Sequence, residues 1–427
     1  MMVRPMLLVA IILIITLRGF SWNVYSSALN TKDIEEWPQF LGPKRNGVYL
    51  GPPLSDLWPS SGPPIVWQRP IGKGFSGPVV KSGRLILFHR VGNEESIDCL
   101  EAKTGRLLWN YSYPTDYRDD FGFDNGPRST PTIAKGMVYT FGAQGLLHCL
   151  TLESGKKVWS VDTHNKFGVR KGFFGAACSP LVDGGRLFLN IGSRDHAGLV
   201  AFNPKTGRVL WTSTDDEASY ASPIAATVNN FRQVLFFTRT GLVSTDPSSG
   251  EVLYRFRWRA RSRASVNAAT PLIVGNLIFL SSSYQTGAVQ LRVQGKKLKE
   301  VWASDEVLSN HYSTSVIRNH YLFGFHGRQE YGQSLRCVEL RTGKVRWSQD
   351  LFGAGTLSRA GDRLVVLKEN GELLFIAASP KAFSVMAEAK IMASTVRAYP
   401  ALANGYLYAR NQREIIGVNL QIGEGSP

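Results

Sequence analysis

Residues that could bind a ligand are concentrated in four segments that separate strand-like stretches of the sequence. The two longest are residues 111–128 and 163–175, and the two short ones are 310–313 and 396–399. Irregular segments as long as the first two are often functional. The candidate ligand-binding residues are Arg118, Asp124, Asn125, Arg128, Arg170, Lys171, His311, Tyr312, Arg397 and Tyr399. These side chains suit a binding site, although Asp124 and Asn125 could instead shape turns and the aromatic rings could fill space.

Recognised catalytic patterns are missing from the sequence. The seven histidines do not have the spacing of zinc ligands, so we predict no metal site. The segment GFSGP at residues 74–78 looks superficially like a serine nucleophile elbow. That elbow joins a strand to a helix, whereas this segment precedes a strand-like stretch. The sequence therefore favours binding over catalysis.

The composition predicts that these segments are held by strands. The 427 residues include 42 glycines and 21 prolines, and 11% of the chain is aromatic. Short stretches rich in β-branched and aromatic residues alternate with turn residues, and helical periodicity is hard to find after residue 30. We therefore predict an all-β protein.

A repeated pattern organises these strands. Each copy has a glycine four residues before an aromatic residue, and successive aromatic residues are between 42 and 52 positions apart. That spacing is typical of the four-stranded blade of a β-propeller. The clearest copies are residues 99–109, 149–159, 201–211, 244–254 and 337–347, with weaker ones ending at Trp302 and near 377–385.

The two ends of the repeat region predict how the ring closes. The final copy, residues 417–423, reaches its glycine without the following aromatic residue, and a strand-like stretch at 65–69 contains Trp67 without a complete blade before it. We expect this stretch to pair into the last blade, so that no sheet edge is left free. The prediction is an eight-bladed β-propeller of four-stranded antiparallel blades over residues 64–423, followed by a tail at 424–427.

The N-terminal region predicts export. An apolar run at residues 6–17 has the length of a secretory signal, and residues 26–28 form a plausible cleavage site. Residues 1–28 are therefore a signal peptide or an N-terminal anchor, and 29–63 form an extension before the propeller. We expect a monomer in the periplasm or cell envelope, with membrane contact only through residues 6–17 if they are retained.

The charge of the chain points to acidic partners. The formal net charge is +16, which favours encounters with an envelope protein or an anionic polymer, without implying specific nucleic-acid binding. Arginine also occupies every second position from 255 to 263, so a strand there would carry the charges on one side. They could protect an edge strand or line a groove for a polyanion. Arg261 and Arg263 are the ones expected to reach a bound anion.

One repeat, Ala201-x-Asn203-x-x-Thr206-Gly207-x-x-x-Trp211, resembles the tryptophan-docking motif of the pyrroloquinoline quinone (PQQ) propeller superfamily. That superfamily includes quinoprotein alcohol dehydrogenases and outer-membrane assembly factor B lipoproteins. The resemblance covers residues 64–423, and residues 37–48 look like the opening segment of many PQQ-like repeat proteins. The docking residues that it implies are Trp67, Trp109, Trp159, Trp211, Tyr254, Trp302 and Trp347.

The resemblance leaves two functions open. Quinoprotein dehydrogenases need PQQ, a calcium or similar ion and a catalytic carboxylate, but this sequence has no vicinal cysteine pair, no haem motif and no matched set of metal ligands. We therefore expect a non-catalytic binding or assembly scaffold without a cofactor. The alternative is a PQQ-dependent alcohol or sugar dehydrogenase that uses Ca²⁺. Cys99, Cys149 and Cys337 occupy a small-residue position of the repeat and are expected to be buried thiols.

Overall fold

The computed structural model describes residues 36–421, except residues 170, 173, 261, 263 and 264. Residues 1–28 and 424–427, to which the sequence assigned a leader and a tail, lie outside this part, as do Arg170, Arg261 and Arg263. Between 36 and 421, the described helices are all too short or too polar to span a membrane.

The described chain forms eight antiparallel four-stranded blades arranged as a propeller, as predicted, and residues Val48–Tyr49 add a fifth, parallel strand to one of them. Two strands precede the first complete blade: β1 (Val48–Tyr49) and β2 (Ile65–Pro70). Blades 1 and 2 contain β3 (Val79–Lys81), β4 (Arg84–Val91), β5 (Glu94–Glu101), β6 (Leu107–Pro114), β7 (Thr132–Ala134), β8 (Met137–Phe141), β9 (Leu146–Thr151) and β10 (Lys157–Asp162). Blades 3 and 4 contain β11 (Leu181–Asp183), β12 (Arg186–Asn190), β13 (Leu199–Phe202), β14 (Val209–Ser213), β15 (Ile224–Val228), β16 (Phe231–Phe237), β17 (Gly241–Thr245) and β18 (Val252–Arg257).

The second half of the ring has the same plan. Blades 5 and 6 contain β19 (Leu272–Val274), β20 (Leu277–Ser282), β21 (Gly287–Gln294), β22 (Lys297–Ser304), β23 (Val316–Arg318), β24 (Tyr321–His326), β25 (Ser334–Glu339) and β26 (Val345–Gln349). Blades 7 and 8 contain β27 (Gly355–Ala360), β28 (Arg363–Lys368), β29 (Glu372–Ala377), β30 (Val385–Lys390), β31 (Ala401–Ala403), β32 (Tyr406–Arg410) and β33 (Glu414–Asn419). The described helical segments are α1 (Thr163–Phe167) and a 3₁₀ turn (Gln329–Tyr331).

The apolar pattern of the strands follows from their place in a blade. Middle strands such as β12 and β13 are covered on both faces by neighbouring blades, and the side chains of β13 are all buried. Outermost strands such as β10 have only half-buried or exposed residues. A continuous apolar run therefore marks a middle strand, and mixed composition marks an outer one.

The ring closes as the sequence predicted. Strand β2 pairs antiparallel with β33, and Trp67, Gln68 and Arg69 lie opposite Gly417, Ile416 and Ile415. Blade 8 thus takes its outermost strand from the region before blade 1. Closure of this kind leaves no open junction in the ring.

Tryptophan side chains link successive blades. The indole Nε1 of Trp159 in blade 2 donates to the carbonyl oxygen of Pro204 in blade 3 at 3.0 Å. Its ring covers Gly207, where a Cβ would lie 2.8 Å from the ring. Glycine is required there because of this close approach and its φ of +70°. The predicted docking residues that donate to the following blade are Trp67, Trp109, Trp159, Trp211, Trp302 and Trp347.

Tyr254 differs from the other residues of this set. Its hydroxyl donates to Gln233 within the same blade. The corresponding glycine of blade 5, Gly295, has no atom within 4 Å of a would-be Cβ, so it lies away from Tyr254. Trp258 forms the link instead, because its Nε1 donates to the carbonyl oxygen of Gly287 in blade 5 at 3.0 Å.

Hydroxyl groups at the starts of the inner strands form a second set of links around the axis. The backbone N–H of Gly77 donates to Thr130 Oγ1, that of Thr130 donates to Ser179 Oγ, and that of Ser179 donates to Ser222 Oγ. These bonds join blades 1, 2, 3 and 4 in turn. The recurrent Ser/Thr-Pro dipeptide therefore positions the channel mouth, where these inner strands begin.

The N-terminal extension fills the channel below this mouth. Residues 36–49, here called the plug, run along the inner strands, with Trp37 bridged to Val80 in blade 1. β1 pairs parallel with the end of β27 in blade 7. Glu36 accepts from the backbone N–H of Ser82 in the β3–β4 turn, so the plug enters from the face opposite the mouth.

Arg45 anchors the plug. Its side chain is buried and donates to the carbonyl oxygens of Ser179, Pro180 and Pro223, which come from blades 3 and 4. Its Nε donates to Gln39 within the plug at 2.9 Å. Burial lowers the pKa of Arg45 from 12.5 to about 9, and the guanidinium therefore remains charged near neutral pH.

The cysteines are structural, as expected. Cys99, Cys149, Cys178 and Cys337 are buried and none of them forms a disulfide. Burial raises the pKa of the Cys149 and Cys337 thiols to about 12, so they stay protonated and unreactive at neutral pH.

Candidate binding site at the channel mouth

A cavity of about 380 Å³ lies at the mouth of the channel, above the tip of the plug. Its floor is formed in part by Phe40, whose ring contacts Tyr399 edge-on with centroids 5.2 Å apart. The aromatic walls include Phe75, Phe121, Phe123, Phe174, Tyr220 and Tyr312, and the guanidinium groups are those of Arg128, Arg328 and Arg397. The cavity therefore combines flat apolar surfaces with positive charge.

Tyr399 is locked into the wall. The backbone N–H of Thr314 donates to its hydroxyl oxygen at 2.5 Å, and the Ser313 hydroxyl lies 3.2 Å away. Burial raises the pKa of Tyr399 above its ordinary value. Tyr399 is thus a neutral structural element that links blades 6 and 8.

Arg397 is positioned by Glu369. Its Nε donates to Glu369 Oε1 at 2.9 Å, and the hydroxyl of Tyr312 donates to the same oxygen at 2.8 Å. Burial, with the charge of Glu369, raises the pKa of Tyr312 well above its ordinary value. The guanidinium lies over the rings of Phe75 and Phe123, 5.6 and 5.5 Å from their centroids. Such cation–π contacts hold the charge against the wall.

Arg128 occupies a similar position beside the long loop of residues 115–131. It donates to Asp119 Oδ2 at 3.3 Å and lies 5.3 Å from the centroid of Phe174. Asp119 is buried and organises the loop, because the same oxygen accepts from the backbone N–H of Phe123 at 2.7 Å and of Asp124 at 3.1 Å.

This folding of the loop places two phenylalanines at the rim of the cavity. Phe121 is 52% exposed and Phe123 is 47% exposed, and their rings are stacked 6.3 Å apart. Phe121 also contacts Phe174 at 5.2 Å. We call Phe121, Phe123 and Phe174 the aromatic rim. An exposed aromatic cluster on a hydrogen-bonded loop is typical of a binding surface.

The opposite wall contains His311. Its Nε2 lies 2.9 Å from the Tyr284 hydroxyl, and its buried Nδ1 has no hydrogen-bond partner among the described residues. Burial lowers the pKa of His311 to about 4, so the ring is neutral at pH 7. Arg328 lies over the Tyr284 ring at 4.8 Å and pairs with Glu330 at 2.9 Å.

The ligand-binding residues predicted from the sequence do not all lie at the channel mouth. Five line the cavity: Arg128, His311, Tyr312, Arg397 and Tyr399. Arg118, Asp124 and Asn125 line depressions outside the rim, between blades 8 and 1, and Arg118 also lines a pocket that contains Lys171. Lys171 lines two pockets on the other side of the long loop and pairs with Asp120. Arg170 lies outside the described residues.

Sequence reasoning missed several residues that line the cavity or support its wall. Tyr284, Arg328, Glu330 and Glu369 belong to turns between blade strands, and nothing in their local sequence distinguishes them from other turn residues. Phe40 belongs to the conspicuous segment at 37–48, which was a usable signal. Its role became visible only from the position of the plug.

The arginine stripe has a mixed environment. Arg255 on the outermost strand β18 pairs with Asp216 at 2.5 Å, and Arg257 is exposed. Phe256 and Trp258 stack 5.9 Å apart and pack on the core between blades 4 and 5. The alternation of arginine and aromatic residues therefore reflects an outer strand with one solvent-exposed face and one packed face.

The carboxylates in the cavity wall and directly behind it do not fit a calcium site. Glu369 and Glu330 are paired with arginines, and Asp119 is paired with Arg128. Calcium needs six to eight oxygen ligands, commonly several carboxylates. In the described part of the chain, no three or more His, Cys, Asp or Glu side chains are grouped to hold a metal ion. These residues do not form the metal centre that accompanies PQQ in the dehydrogenases.

The repeat pattern and fold agree with one protein family. The family described as outer membrane protein assembly factor BamB matches residues 57–166, 93–328 and 332–425. The chain belongs to this family. BamB of Yersinia pestis is 18% identical over 278 residues, which cover 63% of this chain and 68% of that protein.

Other relatives of the BamB-family chain carry enzyme names. Quinoprotein alcohol dehydrogenase PedH of Pseudomonas putida is 21% identical over 239 residues, 53% of this chain and 35% of that enzyme. Tetrathionate hydrolase of Acidithiobacillus ferrooxidans is 28% identical over 130 residues, 29% of this chain and 23% of that enzyme. The chain thus spans about a third or less of the length of these two enzymes.

Solved structures share the propeller fold of this BamB-family chain. BamB from Moraxella catarrhalis has a TM-score of 0.62 and 12% identity, with 85% of this chain and 99% of that chain covered. Quinohemoprotein alcohol dehydrogenase from Comamonas testosteroni has a TM-score of 0.66 and 12% identity, with 93% and 82% covered. At this identity the likeness concerns the fold, which supports both scaffolds and enzymes.

Proposed function

We propose that this protein is an exported, non-catalytic scaffold of the cell envelope that binds its partner at the channel mouth. The observation that carries the proposal is the aromatic rim: two half-exposed phenylalanines held by a buried carboxylate beside an arginine-lined cavity. Aromatic residues and arginine dominate the binding energy of protein interfaces.

The loop that carries Phe121 and Phe123 is held by its own hydrogen bonds. Asp119 accepts hydrogen bonds from the loop backbone, and its side chain is fully buried. A surface that is already ordered loses less conformational entropy on binding than a flexible loop does. The rim therefore supports recognition of a polypeptide segment that presents apolar and acidic groups.

The same cavity is poorly equipped for acid–base chemistry. Glu330 and Glu369 are held by arginines, and His311 is neutral with one nitrogen facing Tyr284. A general base needs a free lone pair within reach of substrate and a pKa near the working pH. The pKa of about 4 at His311 makes it a weak base.

Export rests on two separate supports. The apolar run at residues 6–17 has the size of a secretory signal. The name of the family places BamB at outer membrane assembly. An envelope location also suits the net charge of +16, which favours acidic partners.

The test compares the rim with a matched surface site. Phe121→Ser together with Phe123→Ser removes the two exposed rings of the rim. Phe231→Ser is the control, because Phe231 is 73% exposed on β16 and does not line the mouth cavity. Proteins captured from an envelope extract are purified and their affinity is measured by calorimetry. We expect the rim variant to bind the partner at least about tenfold more weakly. Equal binding by the rim variant and the wild type would contradict the proposal.

The alternative is a PQQ-dependent oxidoreductase, which the likeness to PedH supports. Purified protein is titrated with PQQ and Ca²⁺ while its melting temperature is followed, and dye reduction is assayed with alcohols and sugars. A saturable rise in melting temperature with substrate-dependent dye reduction would replace the scaffold proposal. No response in either assay would remove the alternative.

A further inference from the structure

A positively charged depression lies between blades 8 and 1, outside the aromatic rim. It consists of two adjoining cavities of about 460 and 270 Å³. The residues that line both cavities are Lys73, Asn125, Gln412 and Arg413. Arg90 and Arg118 line the larger cavity, and we call the whole depression the blade 8–1 pocket.

The backbone that carries the pocket is fixed. Lys73 and Arg90 exchange two backbone hydrogen bonds, at 2.9 and 2.8 Å. The backbone N–H of Ile71 donates to the carbonyl oxygen of Arg413 at 2.7 Å. Strand pairing at the ring closure therefore brings Lys73 and Arg413 to the same pocket, although they are far apart in the sequence.

The cations of the pocket exceed its acids. Among the described residues, the side chains of Lys73, Arg118 and Arg413 form no ion pair and no hydrogen bond. The carboxylate in the described walls is Asp124, which accepts from the backbone N–H of Gly126 at 2.6 Å and from Gln412 Nε2 at 2.8 Å. Three cationic side chains thus line the pocket without an ion pair, and Asp124 offsets one of their charges.

Arg90 does not neutralise this surplus. Its guanidinium donates to the carbonyl oxygens of Gly92 at 2.9 Å and Tyr117 at 2.7 Å, which holds the base of the long loop. Burial lowers the pKa of Arg90, and the neighbouring charge of Arg118 lowers it further. The carboxylates of Glu95, Asp124 and Asp116 act in the opposite direction and raise the pKa of Arg90.

We propose that the blade 8–1 pocket binds an oxyanion, such as a phosphate or sulfate group. Lys73, Arg118 and Arg413 supply the charge, and guanidinium groups bind such oxygens in a bidentate way. Asn125 adds an amide donor, since its Oδ1 accepts from Asp119 N at 2.8 Å and its NH₂ group has no partner in the described structure.

The pocket is separate from the mouth but shares a wall with it. Phe123 lines both the mouth cavity and the smaller part of the pocket. Lys73 and Arg413 do not line the mouth cavity, so substituting them leaves the lining of the mouth in place. This second site can fail while the proposed scaffold function stands, and the reverse also holds.

Calorimetry with inorganic phosphate and pyrophosphate at constant ionic strength tests the site. The pocket variant combines Lys73→Gln with Arg413→Gln. The control combines Lys103→Gln with Arg208→Gln, which removes the same charge from exposed turns that line none of these cavities. We expect pyrophosphate to bind the pocket variant at least about tenfold more weakly than the wild type, and the control to match the wild type.

Two further measurements distinguish loss of the anion site from misfolding and identify the source of the phosphate group. Lys73→Arg keeps the charge and should keep the affinity, which separates loss of the site from misfolding. Vesicles of phosphatidylglycerol, compared with phosphatidylcholine, test a lipid headgroup as the source of the phosphate. Equal weakening in the pocket variant and the control, or absence of binding to pyrophosphate and to phosphatidylglycerol vesicles, would overturn the proposal.

Discussion

The closed interior of the channel and its open mouth use the same residue types in opposite ways. In the interior, Arg45 is buried and donates to carbonyl oxygens from two blades, and Trp37 is buried beside blade 1. At the mouth, Arg397 and Phe123 remain partly accessible. The interior residues therefore contribute mainly to stability, whereas the mouth residues are free to contribute to binding.

The largest expected effect on stability is in the closed interior of the channel, at Arg45. Arg45→Met removes the donors from the carbonyl oxygens of Ser179, Pro180 and Pro223 and leaves them buried. We expect the free energy of unfolding to fall by about 3–5 kcal/mol in urea denaturation. Lys44→Met is the control, since Lys44 is its exposed neighbour and should change the value by less than about 0.5 kcal/mol. Similar losses of unfolding free energy in both variants would contradict a special stabilising role for the buried arginine.

The next effect concerns the buried histidine of the mouth. Burial lowers the pKa of His311 from 6.5 to about 4. Between these two values the unfolded chain binds a proton that the folded protein does not, so stability falls as the pH is lowered from 7 toward 4. His311 should account for up to about 2 kcal/mol of this loss by pH 5. His311→Phe should flatten the curve by that amount, and an unchanged curve would contradict a neutral, buried ring.

A smaller effect on the free energy of unfolding is expected for the partly solvent-exposed pair of Glu369 and Arg397 at the mouth. Glu369→Gln weakens the bonds from Arg397 and Tyr312 without removing a large side chain. We expect a loss of about 1 kcal/mol in the free energy of unfolding, because the pair is partly exposed and screened. Glu372→Gln, which alters the more exposed pair with Lys368, should cost less. A loss as large as that of Arg45→Met would place Glu369 with the structural interior.

The smallest effect on stability is expected at the aromatic rim. Phe121→Ser together with Phe123→Ser should change the free energy of unfolding by less than about 1 kcal/mol, since both rings are about half exposed. Partner affinity should fall strongly in the same variant. A large stability loss without a change in affinity would show that the rim is core, and would remove the reason to separate it from the channel interior.

The repeat was readable from the sequence because it depends on local patterns. Trp67 stands in phase with Trp109, so the spacing of the aromatic residues was enough to predict the closing strand and the blade count. The ends of the strands and the glycine beneath each indole follow from the same local rules. Tyr254 shows the limit, because its junction is completed by Trp258 four residues later.

The site was only partly predictable, because it depends on how one loop folds. Arg118 and Arg128 are ten positions apart in the same segment, yet Arg118 lies in the blade 8–1 pocket and Arg128 lies at the mouth. Asp119 decides this by accepting three backbone hydrogen bonds within the loop. Sequence spacing alone does not reveal such a bond pattern.

The sequence by itself determined the all-β class, the eight blades and their closure, since these depend on strand propensity and a repeat of fixed length. Only the tertiary structure decided that residues 36–49 fill the channel and that Arg45 is buried. The carbonyl groups that hold Arg45 come from separate blades and meet on the axis only when the ring is closed. A charged residue in a short polar segment otherwise looks like an ordinary solvent-exposed turn.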